Sequence, residues 1–173
     1  EPDGVPPLPS FGDGYRVLHS INPHSEDGDI HWKPEVFDRL YQRITNKITA
    51  HYDDIVQTES FYMDDAKIGL VAYGSESRPA LEAVKLAREK GVKAGLLKLS
   101  TIWPVPEREI KALANQCDIL FAVEMNIGKY AGEIERVSNG ACEVVRITKN
   151  RGLIHTTGEI LEGLELKLGY SLH

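Results

Sequence analysis

Short apolar runs alternate with helical patterns along most of the chain, from residue 66 to the C-terminus. The first run lies in KIGLVAYGSESR, residues 67–78, and predicts a buried strand, a Gly-Ser turn and the start of a helix. Further apolar runs follow at residues 93–99, 118–123 and 142–147. Strands that alternate with helices of about 10 to 13 residues predict right-handed crossovers. We therefore expect an α/β fold: a three-layer α/β/α sandwich with a mainly parallel sheet.

Residues at the ends of the predicted helices support this pattern. Pro79 falls in the first turn of the first predicted helix of the α/β part, and Gly91 is placed to end it. Thr156 followed by Glu159 is the pattern of a capping box, which predicts the start of the last helix.

The first 65 residues follow a different pattern. Residues 1–33 are rich in proline and glycine, which predicts an extended arm. Pro34 then begins an amphipathic helix of roughly five turns, with an apolar stripe that runs to Ile55. Such a stripe needs a covering surface from the following domain or from a partner chain. We predict three segments: an arm at 1–33, the helix with a connector at 34–65, and an α/β domain at 66–173.

Composition excludes several classes of protein. The net charge of −6 argues against nucleic-acid binding, which needs a basic surface. The sequence contains no run of 18 apolar residues, so it predicts no membrane span, and no secretory signal is visible. We read the start at Glu1 as that of a cut or processed chain. The two cysteines, Cys117 and Cys142, lack the paired spacing of iron–sulfur or zinc ligands, so reduced thiols and a cytoplasmic location are expected.

Histidines and aspartates are concentrated in one short stretch of the arm. They raise the question of a metal site, but their spacing fits no common ligand pattern, and a solvated polar loop is the favoured interpretation. The residues concerned are His19, His24, Asp27, Asp29 and His31.

Three loops at the carboxyl ends of the predicted strands are the places where a ligand is expected. In the first, Gly74 precedes the hydroxyls of Ser75 and Ser77 and the guanidinium of Arg78, a set that suits a phosphate or carboxylate. The loop lacks the GxGxxG and GKS/T patterns, so an N-cap at Ser77 and an ion pair at Arg78 are the favoured interpretation.

The other two loops contain an aromatic residue and a carboxylate. Trp103 and Pro104 lie in a rigid Trp-Pro-x-Pro turn, where an exposed Trp103 would indicate a protein contact and a packed one a structural role. Glu124 and Asn126 follow the third strand, and we favour for Glu124 a structural role, accepting N–H bonds from a neighbouring loop, over that of an acid or base. The sequence shows no nucleophile elbow, HExxH motif or catalytic carboxylate pair, so we assign it no catalytic residue and no metal site.

Two longer stretches resemble a known family. The run VAYGSESRPALEAVKLAREKGVKAGLLKLSTIWPVPEREI and the run FAVEMNIGKYAGEIERV are similar to the alpha subunit of 2-oxoacid:ferredoxin oxidoreductases, especially the 2-oxoglutarate type. The resemblance implies that subunit's C-terminal, transketolase-C-like domain. Three earlier stretches resemble the segment before that domain: FGDGYR, His24 with Glu26 and Gly28, and RLYQRITNKITAHYDDI. The likeness covers roughly residues 11–165, although Ser20 and Ile21 replace a Thr-Gly turn that the family usually has.

The resemblance implies part of an enzyme complex. That complex would decarboxylate a 2-oxoacid with thiamine diphosphate and Mg, pass electrons through iron–sulfur clusters to ferredoxin, and form an acyl-coenzyme A. The GDG at residues 12–14 lacks the Asn-Asn pair of a thiamine diphosphate motif, so no cofactor is expected in this chain. The expected partners are other domains, the beta subunit, and gamma or delta subunits.

Within such a complex we expect the chain to serve assembly and site shaping rather than turnover. The residues expected to shape the site or form an interface are His24, Trp103, Pro104, Glu124 and Asn126. The alternative is an autonomous phosphate- or nucleotide-binding module that uses the loop at 74–78. A flavin-binding redox domain is a third possibility, with little support from the few aromatic residues near strand ends.

Overall fold

The computed structural model describes residues 9–15, 22–26, 28–169 and 171–172. The chain divides into two compact units, Glu1–Ile55 and Val56–His173. The predicted boundaries at residues 33 and 65 stay a prediction. No helix in the described part of the chain is both long enough and apolar enough to cross a membrane.

Within the described residues, the first unit contains a short loop and two helices. His24 and Ile30 pair in an isolated antiparallel bridge. Helix α1 spans Pro34–Thr49, and helix α2 spans Tyr52–Ile55. The predicted helix is thus interrupted at Ala50 and His51, because the N–H of His51 bonds to the carbonyl of Ile48 and tightens the last turn.

The second unit is built on a five-stranded sheet with the order β1-β3-β2-β4-β5. Strands β2, β3, β4 and β5 are parallel, which confirms the predicted α/β fold class. They span Ile68–Tyr73, Ala94–Leu99, Ile119–Glu124 and Glu143–Thr148. The strand order reverses at β2, because the chain goes from β2 to β3 on one side and returns to β4 on the other.

Strand β1 spans Thr58–Phe61 and pairs antiparallel with β3, where the sequence predicted only a connector. The strand has four residues and lies at the sheet edge, so it carries no run of buried apolar positions. Of its residues, Phe61 packs on the core. A short, polar edge strand leaves little periodic signal in the sequence, which is why the prediction missed it.

Four helices cover the two faces of the sheet. The helices on one face are α3, Ser77–Glu89, and α6, Thr157–Leu168. Those on the other face are α4, Glu107–Gln116, and α5, Lys129–Ser138. The predicted capping box at Thr156 and Glu159 is present at the start of α6. Because α3 and α6 pack on the face opposite α4 and α5, loops from both faces meet at the carboxyl edge of the sheet.

Candidate functional site at the carboxyl edge of the sheet

The carboxyl ends of β2 and β4 lie side by side where the strand order reverses, the usual ligand position in open α/β sheets. Tyr73 ends β2, and Glu124 ends β4. A single turn of 3-10 helix, Gly74–Glu76, joins β2 to α3. The loops at this edge therefore hold most of the residues that the sequence singled out.

Glu124 is the centre of a closed hydrogen-bond network. Its carboxylate is 1% exposed and accepts the backbone N–H groups of Tyr130 and Ala131 at 3.0 and 2.9 Å. It also accepts the hydroxyl of Tyr73 at 3.1 Å and the amide of Asn126 at 2.7 Å. These donors lie in the first turn of α5, on the neighbouring strand β2 and in the loop between β4 and α5, so the carboxylate fixes the start of α5 against β2.

Asn126 completes the start of α5. Its side-chain oxygen accepts the N–H groups of Gly128 and Lys129 at 2.8 and 2.9 Å. Gly128 has a φ of 91°, a left-handed conformation that glycine adopts at little cost. Burial and the negative charge of Glu124 raise the pKa of Tyr73 to about 12, so its phenol is a donor at neutral pH. The network is fully paired and offers no free base.

A second buried carboxylate lies nearby on the opposite face of the sheet. Glu76 is 3% exposed and accepts the backbone N–H of His155 at 3.2 Å, while the Nδ1 of His155 lies 3.0 Å from Oε2 of Glu76. Thr156, the N-cap of α6, follows immediately. The pair ties the loop before α3 to the loop before α6. Sequence reasoning gave Glu76 no role of its own and missed His155, since no local pattern links residues 79 positions apart.

The structure separates the residues of the loop at 74–78, where an anion site is the less favoured interpretation. Gly74, Ser75 and Arg78 are exposed, but Ser77 is buried, and its Oγ has no hydrogen-bond partner among the described residues. The carboxylate of Glu76 lies within the same turn and adds negative charge. An anion site at this loop stays an untested alternative.

Exposed apolar side chains are concentrated in the loops after β3, β4 and β5. Trp103 is 68% exposed. The residue before it, Ile102, accepts a hydrogen bond on its backbone carbonyl from the hydroxyl of Tyr130 at 3.2 Å. Pro104 follows Trp103 in a half-buried position. The exposed residues on these three loops are Ile102, Trp103, Met125, Ile127, Leu153 and Ile154. We call these six residues the edge patch.

The polar stretch of the arm forms part of the first unit. His24 is half-buried at the bridge to Ile30, and the N–H of Ser25 bonds to the carbonyl of Asp29 at 3.0 Å. His19 and Asp27, which the sequence grouped with His24, lie outside the described residues. Within the described ranges, no three His, Cys, Asp or Glu side chains are grouped so that they could hold a metal ion.

The comparisons with known proteins identify the family. Residues 66–159 match the family model of the pyruvate:ferredoxin oxidoreductase core domain II. The chain belongs to this family, and the resemblance found in the sequence is confirmed.

The similar curated proteins are subunits of oxidoreductases. The chain is 44% identical over 161 residues to the 2-oxoglutarate synthase subunit KorA of Methanothermobacter thermautotrophicus, covering 92% of this chain and 43% of that protein. It is 38% identical to the KorA subunit of Methanocaldococcus jannaschii, over 90% of this chain and 42% of that protein. The chain thus spans less than half the length of these relatives.

A solved structure supports the fold. The chain superposes on the 2-oxoglutarate:ferredoxin oxidoreductase of Magnetococcus marinus with a TM-score of 0.76 and 19% identity. The match covers 96% of this chain and 29% of that one. At this identity the likeness shows that the two chains share the fold.

Proposed function

We propose that this chain is a non-catalytic region of the alpha subunit of a 2-oxoacid:ferredoxin oxidoreductase of the 2-oxoglutarate type. The complete enzyme would decarboxylate the 2-oxoacid oxidatively, reduce ferredoxin and form an acyl-coenzyme A. Support comes from the family match and from the relatives, which are named as 2-oxoglutarate synthase subunits. The role proposed for this chain is to assemble with the other parts of the enzyme and to shape their site.

The cysteines of this chain do not fit an iron–sulfur cluster. Iron–sulfur clusters are usually held by four thiolates, whereas this chain has two cysteines. Cys117 is buried in the core, and this burial raises the pKa of its thiol to about 11, which disfavours the thiolate. We therefore assign thiamine diphosphate, Mg, the clusters and coenzyme A to other domains or subunits, and derive no chemical step from this chain.

The edge patch is the observation that supports an assembly role. Its six exposed apolar side chains lie in loops at one edge of the sheet, and exposed apolar patches often mark protein contacts. Aromatic residues such as Trp103 often contribute most to binding. The Glu124 network fixes the loop that carries Met125 and Ile127, so this part of the patch is held in one shape before binding. We propose that another domain or subunit of the same oxidoreductase covers the patch.

The test is a pair of substitutions, Trp103→Ser with Ile127→Ser, in the complete oxidoreductase. Both side chains are 68% exposed, so the melting temperature of this chain by itself should not change. We expect the alpha subunit to lose its partners in size-exclusion chromatography and the enzyme to lose 2-oxoglutarate-dependent reduction of ferredoxin.

Leu166→Ser is the matched control, because Leu166 is 88% exposed on α6, outside the edge patch. It should leave assembly unchanged. An intact and active complex with both patch substitutions would overturn the assembly role. A complex that reduces ferredoxin with other 2-oxoacids but not with 2-oxoglutarate would overturn the substrate class.

A further inference from the structure

A cavity in the first unit is lined by two cationic side chains that have no ion-pair or hydrogen-bond partner among the described residues. It has a volume of about 310 Å³ and lies between the loop at His24 and one face of α1. Its lining residues are His24, Ser25, Glu26, Val36, Arg39, Leu40 and Arg43. Cavities of this size lie at the lower end of the range for small-molecule sites.

The two arginines lie on one face of α1, because residues four apart are neighbours on a helix. Like charges at this spacing repel each other, and neither Arg39 nor Arg43 makes an ion pair or hydrogen bond with a described residue. Glu26 is the acidic side chain among the lining residues, so the wall carries a net positive charge. A bound anion would remove this repulsion.

The loop side of the cavity also has an unused hydrogen-bonding group. The Nδ1 atom of His24 is buried and has no partner among the described residues. A buried polar atom without a partner is unfavourable, and a ligand oxygen reached by a small rotation of the ring would relieve this cost. Val36 and Leu40 supply apolar surface to the same cavity.

We propose that this cavity binds a small organic anion, with its carboxylate or phosphate group held by Arg39 and Arg43. Guanidinium groups bind both oxyanions through paired N–H donors. The apolar surface of Val36 and Leu40 suits a short carbon chain attached to the anionic group. The site is distinct from the loop at 74–78, and it goes beyond the assembly role proposed above.

The test is a calorimetric titration of the 173-residue chain with succinate and, separately, with inorganic phosphate. We expect saturable binding of at least one of the two, and the stronger binder indicates whether the site prefers carboxylate or phosphate. Arg39→Gln with Arg43→Gln should weaken this binding about tenfold or more, since charge-assisted hydrogen bonds are lost. The amide NMR signals that shift should be those of Ser25 and the first half of α1.

Two single-charge variants are the controls. Lys47→Gln removes a positive charge one turn further along α1, and Arg78→Gln removes the exposed cation of the loop after β2. Both should bind as the unsubstituted chain does, and circular dichroism should show the same helix content in every variant. The proposal is overturned if neither anion binds saturably, if Lys47→Gln weakens binding as much as the double variant, or if Arg78→Gln alone abolishes it.

Discussion

Glu124 and Glu76 are both buried carboxylates at the carboxyl edge of the sheet, but they are satisfied in different ways. Glu124 accepts two backbone N–H groups from the helix that follows it, and its side-chain partners include Asn126, two residues away. Glu76 instead pairs with His155, which is 79 residues away. The first carboxylate is mostly an element of local helix capping, whereas the second is a long-range tie between two loops. Two carboxylates that are buried to a similar extent can therefore be satisfied by local contacts or by long-range contacts.

The largest effect should come from removing the carboxylate of Glu124. Glu124→Ala leaves two backbone donors and the Tyr73 hydroxyl without an acceptor, and the Asn126 amide keeps only the Tyr73 oxygen. We expect a loss of about 3 kcal/mol or more in the free energy of unfolding. Urea unfolding measures this loss. Glu82→Ala is the control, because its exposed pair with Lys85 should contribute less than about 1 kcal/mol. Similar losses in both variants would show that the network does not hold α5.

A smaller effect is expected for the tie between Glu76 and His155. Glu76→Gln and His155→Asn should each destabilise the fold by about 1 to 2 kcal/mol, since each leaves part of a buried hydrogen-bonded pair. In a double-mutant cycle the two losses should couple by about 1 kcal/mol, because the residues touch. Strictly additive losses would mean that the contact between Glu76 and His155 contributes nothing to stability. Glu76 would then not act as a long-range tie between the two loops.

The smallest effect should come from Tyr73, which adds a long-range partner to the network of Glu124. Tyr73→Phe should cost about 1 kcal/mol at neutral pH. The pKa of Tyr73 is about 12 in the folded chain, above the value of about 10 in the unfolded chain. The hydrogen bond of its phenol therefore stabilises the fold fully below about pH 10, and this stabilisation is lost as the pH rises through about 12.

Urea unfolding at about pH 9 and about pH 11 tests this pH dependence. The unsubstituted chain should lose more stability over this interval than Tyr73→Phe does. Tyr41→Phe, which removes an exposed phenol, should follow the unsubstituted chain. If Tyr73→Phe loses as much stability as the unsubstituted chain, the phenol is not held by the carboxylate.

Some residues of the candidate site could be predicted from the sequence, and others could not. Glu124 could be proposed as an acceptor of N–H bonds because it ends an apolar run and precedes a Gly that starts a helix. The connection of Glu76 to His155 could not be proposed, because it depends on α3 and α6 packing on the same face of the sheet. The cavity lined by Arg39 and Arg43 was also missed. The sequence shows the arginines on a helix, but the loop that closes the cavity lacks a periodic pattern.

The strand and helix pattern from residue 66, the mainly parallel sheet and the capping box at Thr156 could all be predicted from the amino-acid sequence. These follow from periodicity and from short-range hydrogen bonds, which act over a few residues. Three features emerged from the folded chain alone: residues 58–61 join the sheet as β1, Ser77 is buried, and six exposed apolar side chains lie at one edge of the sheet. Those features depend on contacts between residues far apart in the chain, and such contacts leave no periodic signal.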